Sequence, residues 1–280
     1  MRVAITGANG FTGRFVVAAL AEAGVDTVAL RADLTDAAAV FEEVSTVVFD
    51  RVVHLAGAAF AGGSDWHVFY AVNQLGTFNL LDAVARAAPG ARCVIASSAQ
   101  VYGAGASGLI GEHLPTQPSN HYAVSKRAME LGAELWRDRL QLVITRPFNY
   151  TGVGQDVQYL IPKIVDHFRR SLPVIELGNT WVKRDFGDVR SVAQAYSGLI
   201  MAEKPPALVN IATGTTWSID DIINRLSAMS GHALEVKINK AFVRSGDVPV
   251  LGGDDTYLRA ALPQWRPYSL EDTLKWMYNY

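Results

Sequence analysis

Apolar positions in the first half of the chain fall into two alternating patterns. Short apolar runs occupy Val3–Thr6, Thr27–Leu30, Val52–Gly57, Cys93–Ser98 and Leu140–Arg146. Runs of that length, bounded by turn residues, read as buried strands. Between them lie stretches with helical periodicity: Arg14–Ala23, closed by Gly24; Thr35–Val44, capped by Thr35 or Asp36; Trp66–Ala88, ended by Pro89-Gly90; and His121–Trp136. In the last of these, Ala128, Leu131 and Leu135 recur at three- and four-residue spacing, which predicts an amphipathic helix. The second half predicts a helix from Leu160–Val165 and a hairpin of Val174–Asn179 with Thr180–Phe186 around Gly178-Asn179. A helix over Ser191–Ala202, a strand over Leu208–Ala212, a capped helix over Ser218–Ser230 and a closing helix over Ser269–Tyr278 follow.

Strand alternating with helix predicts an α/β chain, and the first turn says what such a chain can hold. Gly7-Ala-Asn9-Gly10-Phe11-Thr12-Gly13 stands between the first strand and the first helix. Glycines there allow a tight turn, close approach of backbone to a pyrophosphate, and close packing of helix on strand. The helix N-terminus behind them offers unpaired N–H groups to phosphate. This predicts dinucleotide binding, with the spacing Gly-x-x-Gly-x-x-Gly. NAD-preferring folds end the second strand on an acid that accepts from the ribose hydroxyls. Here Arg31 stands in that place, and its guanidinium can pair with a 2′-phosphate. NADP(H) is therefore favoured, with NAD(H) also usable. Asp33 and Leu34 follow, placed to meet the adenine amine and ring face. Leu55-Ala56-Gly57, after the third strand, forms a small-residue loop where backbone can pass close to the cofactor. His54 lacks spaced ligand partners and reads as a strand residue.

Composition narrows the classes. The 280 residues are 50% hydrophobic and 19% charged, enough for a sizeable core, and the formal charge of −2 points to no polyanion partner. The lone Cys93 excludes an internal disulfide framework and a cysteine zinc cluster. Arg2-Val-Ala-Ile-Thr6 runs straight into the glycine turn, without a signal-peptide pattern, and no apolar run reaches the ~18 residues of a membrane span. A cytoplasmic location is the expectation.

The candidate chemistry centres on Tyr122-Ala-Val-Ser-Lys126. On a helix, positions four apart share one face. A phenol titrates near ~10, too high for easy proton exchange at neutral pH. A nearby ammonium favours the phenolate, so Lys126 is expected to depress the tyrosine and make it a usable acid or base. Ser98, beyond the end of a strand, is placed to hydrogen-bond a substrate oxygen. Asn73, inside an apolar helix, is expected to satisfy a local hydrogen bond.

These motifs occur in a fixed order: Gly7-x-x-Gly10-x-x-Gly13, Asn73, Ser98 in Ser-Ser-x-x-Val-Tyr-Gly, Tyr122-x-x-x-Lys126 and Arg146-Pro147-Phe-Asn149. Along essentially its whole length the chain resembles the extended short-chain dehydrogenase/reductases, the NAD-dependent epimerase/dehydratase family that acts on nucleotide sugars. The resemblance implies a Rossmann-type doubly wound parallel sheet with a smaller C-terminal α/β substrate lobe. Residues 1–150 would be the dinucleotide-binding domain and 151–280 mainly the substrate lobe, with some segments returning. It implies Ser98, Tyr122 and Lys126 as the catalytic triad and Asn73 as a support of the site. Tyr122, Lys126 and Pro147 would join the glycine turn around the cofactor. Gln100, Asn149, Lys163, Arg184 and Arg244 join Ser98 as expected substrate contacts, with arginine suited to the diphosphate. A homodimer through the helices near 66–88 and 121–138 is also implied.

Within the family, dehydratases carry an acid two places after the catalytic serine or threonine; Ala99 and Gln100 hold that region here. Epimerases are typically NAD enzymes with a larger substrate lobe. The local wording looks most like reductases of nucleotide-linked 4-keto-6-deoxyhexoses. A nucleotide-sugar 4-epimerase and a catalytically silent dinucleotide sensor are the alternatives.

Overall fold

The computed structural model describes residues 1–58, 65–243 and 248–280. Its centre is a six-stranded sheet of β1 (Arg2–Thr6), β2 (Asp26–Leu30), β3 (Arg51–His54), β4 (Arg92–Ala96), β5 (Gln141–Pro147) and β6 (Leu208–Ile211). The order is β6-β5-β4-β3-β1-β2 and every pair is parallel. Because side chains alternate along a strand, β1 sends Val3 and Ile5 to one face and Ala4 to the other. The first face carries α1 (Phe11–Glu22) and α5 (Val189–Met201), packing Val16, Leu20, Ala195 and Leu199 on Val3, Ile5, Val53 and Val94. The second carries α2 (Ala37–Thr46), α3 (Thr77–Ala87) and α4 (His121–Ala133), packing Val40, Leu80, Val84 and Met129 on Ala4, Val52, Cys93 and Ile95. The chain is thus a Rossmann-type α/β protein.

Several boundaries move for physical reasons. The first helix begins at Phe11, earlier than the periodicity indicates, because Gly13 lies in its first turn and packs against the Gly7 carbonyl. Asp36, not Thr35, caps α2, accepting from Ala38 and Ala39 N–H at 3.0 Å. The stretch expected as one helix over Trp66–Ala88 is a turn of α-helix at Trp66–Val68, a π-helical segment Phe69–Gly76, and then α3.

The expected hairpin around Gly178-Asn179 does not form. Val174–Leu177 pairs in parallel with Glu235–Ile238, and Lys183–Arg184 pairs with Trp217–Ser218 and with Val250–Leu251. Burial decides this: Ile175 and Leu177 are drawn into a core with the helices Leu160–Arg169, Ile219–Ser230 and Leu270–Asn279, through Ile164, Phe168, Ile222, Leu226 and Leu274. The stripe of α4 is corrected likewise. Leu131 and Leu135 are exposed, and the inward face holds Ala123, Lys126, Met129, Glu130 and Ala133.

His54 lies at the centre of the sheet, buried between β1 and α3. Its Nδ1 lies 2.6 Å from Thr6 Oγ1 and its Nε2 2.9 Å from Thr77 Oγ1. Thr77 Oγ1 donates to the Asn73 carbonyl and Thr6 Oγ1 accepts from Ala56 N–H, so the ring is the tautomer that donates from Nε2 and accepts at Nδ1. Both ring nitrogens are satisfied in a neutral imidazole. Burial, with the Lys126 charge adding to it, holds His54 down at about 3. Above its unfolded value near 6.5 this neutrality has no energetic consequence. As pH falls from 6.5 towards 3 the unfolded chain takes up a proton that the folded chain refuses, so stability drops. Denaturant unfolding of wild type should show a loss on the order of a few kcal/mol across that window. His54→Asn should have a visibly shallower slope there; equal slopes would mean that other groups carry the dependence.

Candidate active site

The sheet order reverses between β1 and β3, and the crevice beyond their carboxyl ends is where such folds bind nucleotides. Here that crevice is built for close approach. Gly7 has φ +69°, and a Cβ on it would lie 2.8 Å from Ala56 N. Gly10 N–H donates to the Gly7 carbonyl at 3.0 Å, closing the turn. Gly10 is also the N-cap of α1 and supplies no side-chain cap, so the first N–H groups of that helix face the turn. Asn9 and Gly10 are exposed there. Phe11 stacks on Tyr150 at 6.1 Å, and Thr12 Oγ1 lies 2.8 Å from the Tyr150 hydroxyl. This cradle fits the pyrophosphate of a dinucleotide. Beside it, a cavity of about 140 Å³ is lined in part by Gly7, Arg31, Leu34, Val40, Glu43 and Ala56. Leu34, expected as an adenine contact, is one of the residues that line this cavity. Asp33 does not line this cavity: its carboxylate accepts from Thr35 N–H and Oγ1 at 2.9 and 2.8 Å. The Arg31 side chain is exposed at the end of β2.

Ser98 lies just past β4, capping a 3₁₀ turn over Ala99–Gly105 and accepting from Gln100 N–H at 3.1 Å. Gln100 Oε1 accepts from Asn120 Nδ2 at 3.2 Å, and Asn120 caps α4 through Ala123 N–H at 2.8 Å. That link ties the serine turn to the start of the helix carrying Tyr122. One turn on, Lys126 is buried and its ammonium donates to the Ala96 carbonyl at 2.8 Å. Asn73 sits in the π-helical segment, and such segments are common at functional sites. Its Oδ1 accepts from Ala58 N–H at 2.8 Å, while Nδ2 donates to the Ala58 carbonyl and to Ser125 Oγ. A Cβ on Gly57 would lie 2.9 Å from Asn73 Oδ1 and 3.3 Å from Lys126 Nζ. Asn73 thus holds the loop after β3 against the Tyr122–Lys126 helix.

The expectation that Lys126 depresses the phenol is corrected. Burial pushes Tyr122 up to about 12; the Ser98 hydroxyl works downward, and Tyr150 and Tyr159 work upward. Burial pushes Lys126 down to about 8, opposed by the Glu130 carboxylate. Desolvation penalises the charged form of each group and outweighs the Ser98 hydrogen bond at Tyr122 and the Glu130 charge at Lys126.

Glu130 organises the floor of this site. Its carboxylate accepts from Ser97 Oγ at 2.6 Å, from Arg146 Nε and Nη2 at 2.9 and 2.7 Å, and from Arg127 Nη1 at 2.8 Å. Burial alone would raise it, but the Arg146 bonds and charge, with Ser97 and Arg127, hold it below the usual carboxylate range. Glu130 is not among the residues expected at the site. A signal existed: it lies one turn past Lys126, and Arg146 precedes Pro147 in a buried strand. Tyr150, also unexpected, follows directly on Asn149.

The remaining expected contacts lie on several elements. Asn149 is exposed on a strand whose partner in register is Phe186, two residues past Arg184. Arg184 Nη1 donates to the Val248 carbonyl at 2.7 Å. Lys163 Nζ donates to the Glu176 carbonyl at 3.0 Å and lies 5.3 Å from the Phe242 ring. Pro147 is half-buried at the end of β5. Arg244 lies outside the described residues. Among the described residues no group of three or more His, Cys, Asp or Glu is placed to hold a metal.

A parallel Rossmann sheet with a glycine cradle, a serine past β4 and a Tyr-x-x-x-Lys helix defines a class of NAD(P)-dependent nucleotide-sugar enzymes. The chain belongs to the NAD dependent epimerase/dehydratase family, which it matches over residues 3–212. It is 34% identical to GDP-6-deoxy-D-talose 4-dehydrogenase of Aggregatibacter actinomycetemcomitans over 288 aligned positions, covering 100% of this chain and 97% of that protein. It is 30% identical to GDP-6-deoxy-D-mannose reductase of Pseudomonas aeruginosa, covering 95% and 92%. The structure of RMD from Pseudomonas aeruginosa complexed with NADPH superposes with a TM-score of 0.90 at 28% identity, covering 99% of this chain and 96% of that one. The protein is an NAD(P)-dependent oxidoreductase that modifies nucleotide sugars.

The buried ion pair gives a test. Glu130→Gln leaves the Arg146 charge buried and under-paired, and should cost about 3–5 kcal/mol of unfolding free energy. Replacing both residues with methionine should cost much less than the sum of the two single replacements. Strictly additive losses in urea denaturation would show that the two side chains do not act as a pair.

Proposed function

We propose that this protein reduces the 4-keto group of a nucleotide-linked 4-keto-6-deoxyhexose with NAD(P)H, in deoxysugar or polysaccharide biosynthesis. The carrying observation is the grouping of Ser98, Tyr122 and Lys126 with a turn after Ser98 that reads Ala99-Gln100 and holds no carboxylate. Elimination of water needs an acid or base there; simple reduction does not. Two relatives support hydride chemistry on GDP-linked 6-deoxyhexoses, one named as a dehydrogenase and one as a reductase. A GDP-linked 4-keto-6-deoxyhexose is therefore the first substrate to try.

A reduced nicotinamide, when bound in the crevice, would supply the hydride for C4. Tyr122, protonated at neutral pH, gives its phenol proton to the carbonyl oxygen as that oxygen becomes a hydroxyl. Ser98 donates to the same oxygen and stabilises the charge developing on it. Lys126, still largely charged at neutral pH, stabilises the phenolate and holds ribose hydroxyls. Asn149, Lys163, Arg184 and Arg244 bind the diphosphate. Arg31 favours NADP(H), with NAD(H) also accepted, and the relative bound to NADPH supports that direction. The comparison that reads it is kcat/KM with each reduced cofactor.

Two copies associate through the segments 66–88 and 121–138. Leu75, Val124, Leu131 and Leu135 are exposed on them, and a hydrophobic face of that kind is normally covered. No helix among the described residues is long and apolar enough to cross a membrane, so a lipid-spanning role does not account for it.

Nucleotide-linked 4-keto-6-deoxyhexoses, the GDP sugar first, should be screened with NADPH and NADH by following nicotinamide absorbance. Stoichiometric cofactor oxidation is expected with at least one sugar. Inversion at C4 of a nucleotide-linked hexose that carries a 4-hydroxyl, without net cofactor turnover, would instead identify an epimerase. Tyr122→Phe should retain cofactor binding and lose about 10²–10⁴-fold in turnover; a near wild-type rate would remove it as proton donor. For the assembly, Leu131→Glu with Leu135→Glu should sediment as a monomer where wild type sediments as a dimer, and an unchanged profile would place the contact elsewhere.

A further inference from the structure

The end of β2 holds an acid that its sequence position conceals. Glu43, on α2, turns its carboxylate onto the backbone: Oε1 accepts from Arg31 N–H at 2.8 Å, and Oε2 from Arg31 and Ala32 N–H at 2.9 and 2.8 Å. Two successive backbone N–H groups form a small anion cradle. In this protein the chain fills that cradle with its own carboxylate. The cavity lined by Gly7, Leu34 and Ala56 is lined by Arg31 and Glu43 as well, so the positive and the negative group border one space. Asp33, the nearest acid in sequence, is committed to Thr35 and does not compete for these amides.

We propose that Glu43 is a cofactor-specificity residue that opposes Arg31: it occupies the amides at the end of β2 that would otherwise receive a 2′-phosphate, and its charge repels that phosphate. This rests on reading the crevice as the adenosine end of a dinucleotide site, and not on the identity of the sugar. Arg31 attracts the 2′-phosphate from the exposed side while Glu43 resists it from the α2 side. The balance between them, and not Arg31 alone, sets how far NADP(H) is preferred. A carboxylate bonded to backbone is a fixed charge, since its geometry is held by two N–H groups, the Arg31 N–H shared between both oxygens.

Binding of nucleotide fragments to the intact protein tests this without any sugar substrate. Calorimetric titration with 2′,5′-ADP and with 5′-ADP gives the ratio of dissociation constants that isolates the 2′-phosphate. Glu43→Gln, which keeps one acceptor for the amides and removes the charge, should tighten 2′,5′-ADP about tenfold relative to 5′-ADP. Arg31→Ala, a surface replacement that leaves Glu43 in place, should reverse the ratio so that 5′-ADP binds more tightly. Glu43→Gln should still favour the 2′-phosphate when combined with Arg31→Ala, which separates its effect from that of the arginine. The proposal is overturned if Glu43→Gln leaves the ratio unchanged, or if it weakens both fragments equally, as a purely structural tie between α2 and β2 would. A ratio of one in Arg31→Ala would equally overturn it. Should Glu43→Gln not fold, the Arg31→Ala ratio alone decides.

Discussion

The site depends on a buried charge that must be neutralised. Glu130 lies inside the protein between the Tyr122–Lys126 helix, the end of β4 and the end of β5. An isolated carboxylate there is intolerable, so the fold brings it a bidentate arginine, a serine hydroxyl and a second arginine. Each partner belongs to a different element. Arg146 comes from β5, which continues into Pro147 and Asn149; Ser97 adjoins Ser98; Arg127 adjoins Lys126. Satisfying one carboxylate therefore fixes the serine turn, the tyrosine helix and the exit of β5 relative to one another. A hydrophobic residue at 130 would pack, but would not specify which hydroxyl and which guanidinium stand beside it.

The cofactor crevice is fixed by a second set of constraints, mostly steric. Gly7, Gly13 and Gly57 lie where backbone, helix and side chains approach too closely for a Cβ. A chain of hydrogen bonds runs behind them, from Ala56 N–H through Thr6, His54 and Thr77 to the Asn73 carbonyl. Asn73 then reaches the loop after β3 and Ser125 with its side chain. The π-helical register at Phe69–Gly76 gives that asparagine its position, and regular α-helical geometry would rotate it. Polar residues in the core are thus not exceptions to the packing. They connect the glycine turn to the Tyr122–Lys126 helix.

Much of this was legible in the chain itself. Strand and helix alternation, the glycine turn and the ordered Ser98, Tyr122 and Lys126 motifs lead to a parallel Rossmann sheet and to the family, because backbone periodicity and glycine sterics are local properties. The misreadings share a cause. Leu131 and Leu135 were read as part of a hydrophobic stripe, yet α4 turns Lys126 and Glu130 inward instead. Hydropathy assumes that charge prefers water, and it fails where a partner waits inside. The hairpin at Gly178-Asn179 was a sound local turn signal, but burial of Ile175 and Leu177 between helices overrode it.

What the sequence alone determined, then, is the fold class and the family. The first rests on the alternation of strand and helix, the second on a resemblance carried by motifs in a fixed order along the chain. Only the tertiary structure decided the electrostatic setting: which way Tyr122 and Lys126 shift, what neutralises Glu130, and that Glu43 crosses from α2 to the amides at the end of β2. Charges interact through space with whatever the fold places beside them, and desolvation depends on the whole surrounding protein. No spacing along the chain carries that information.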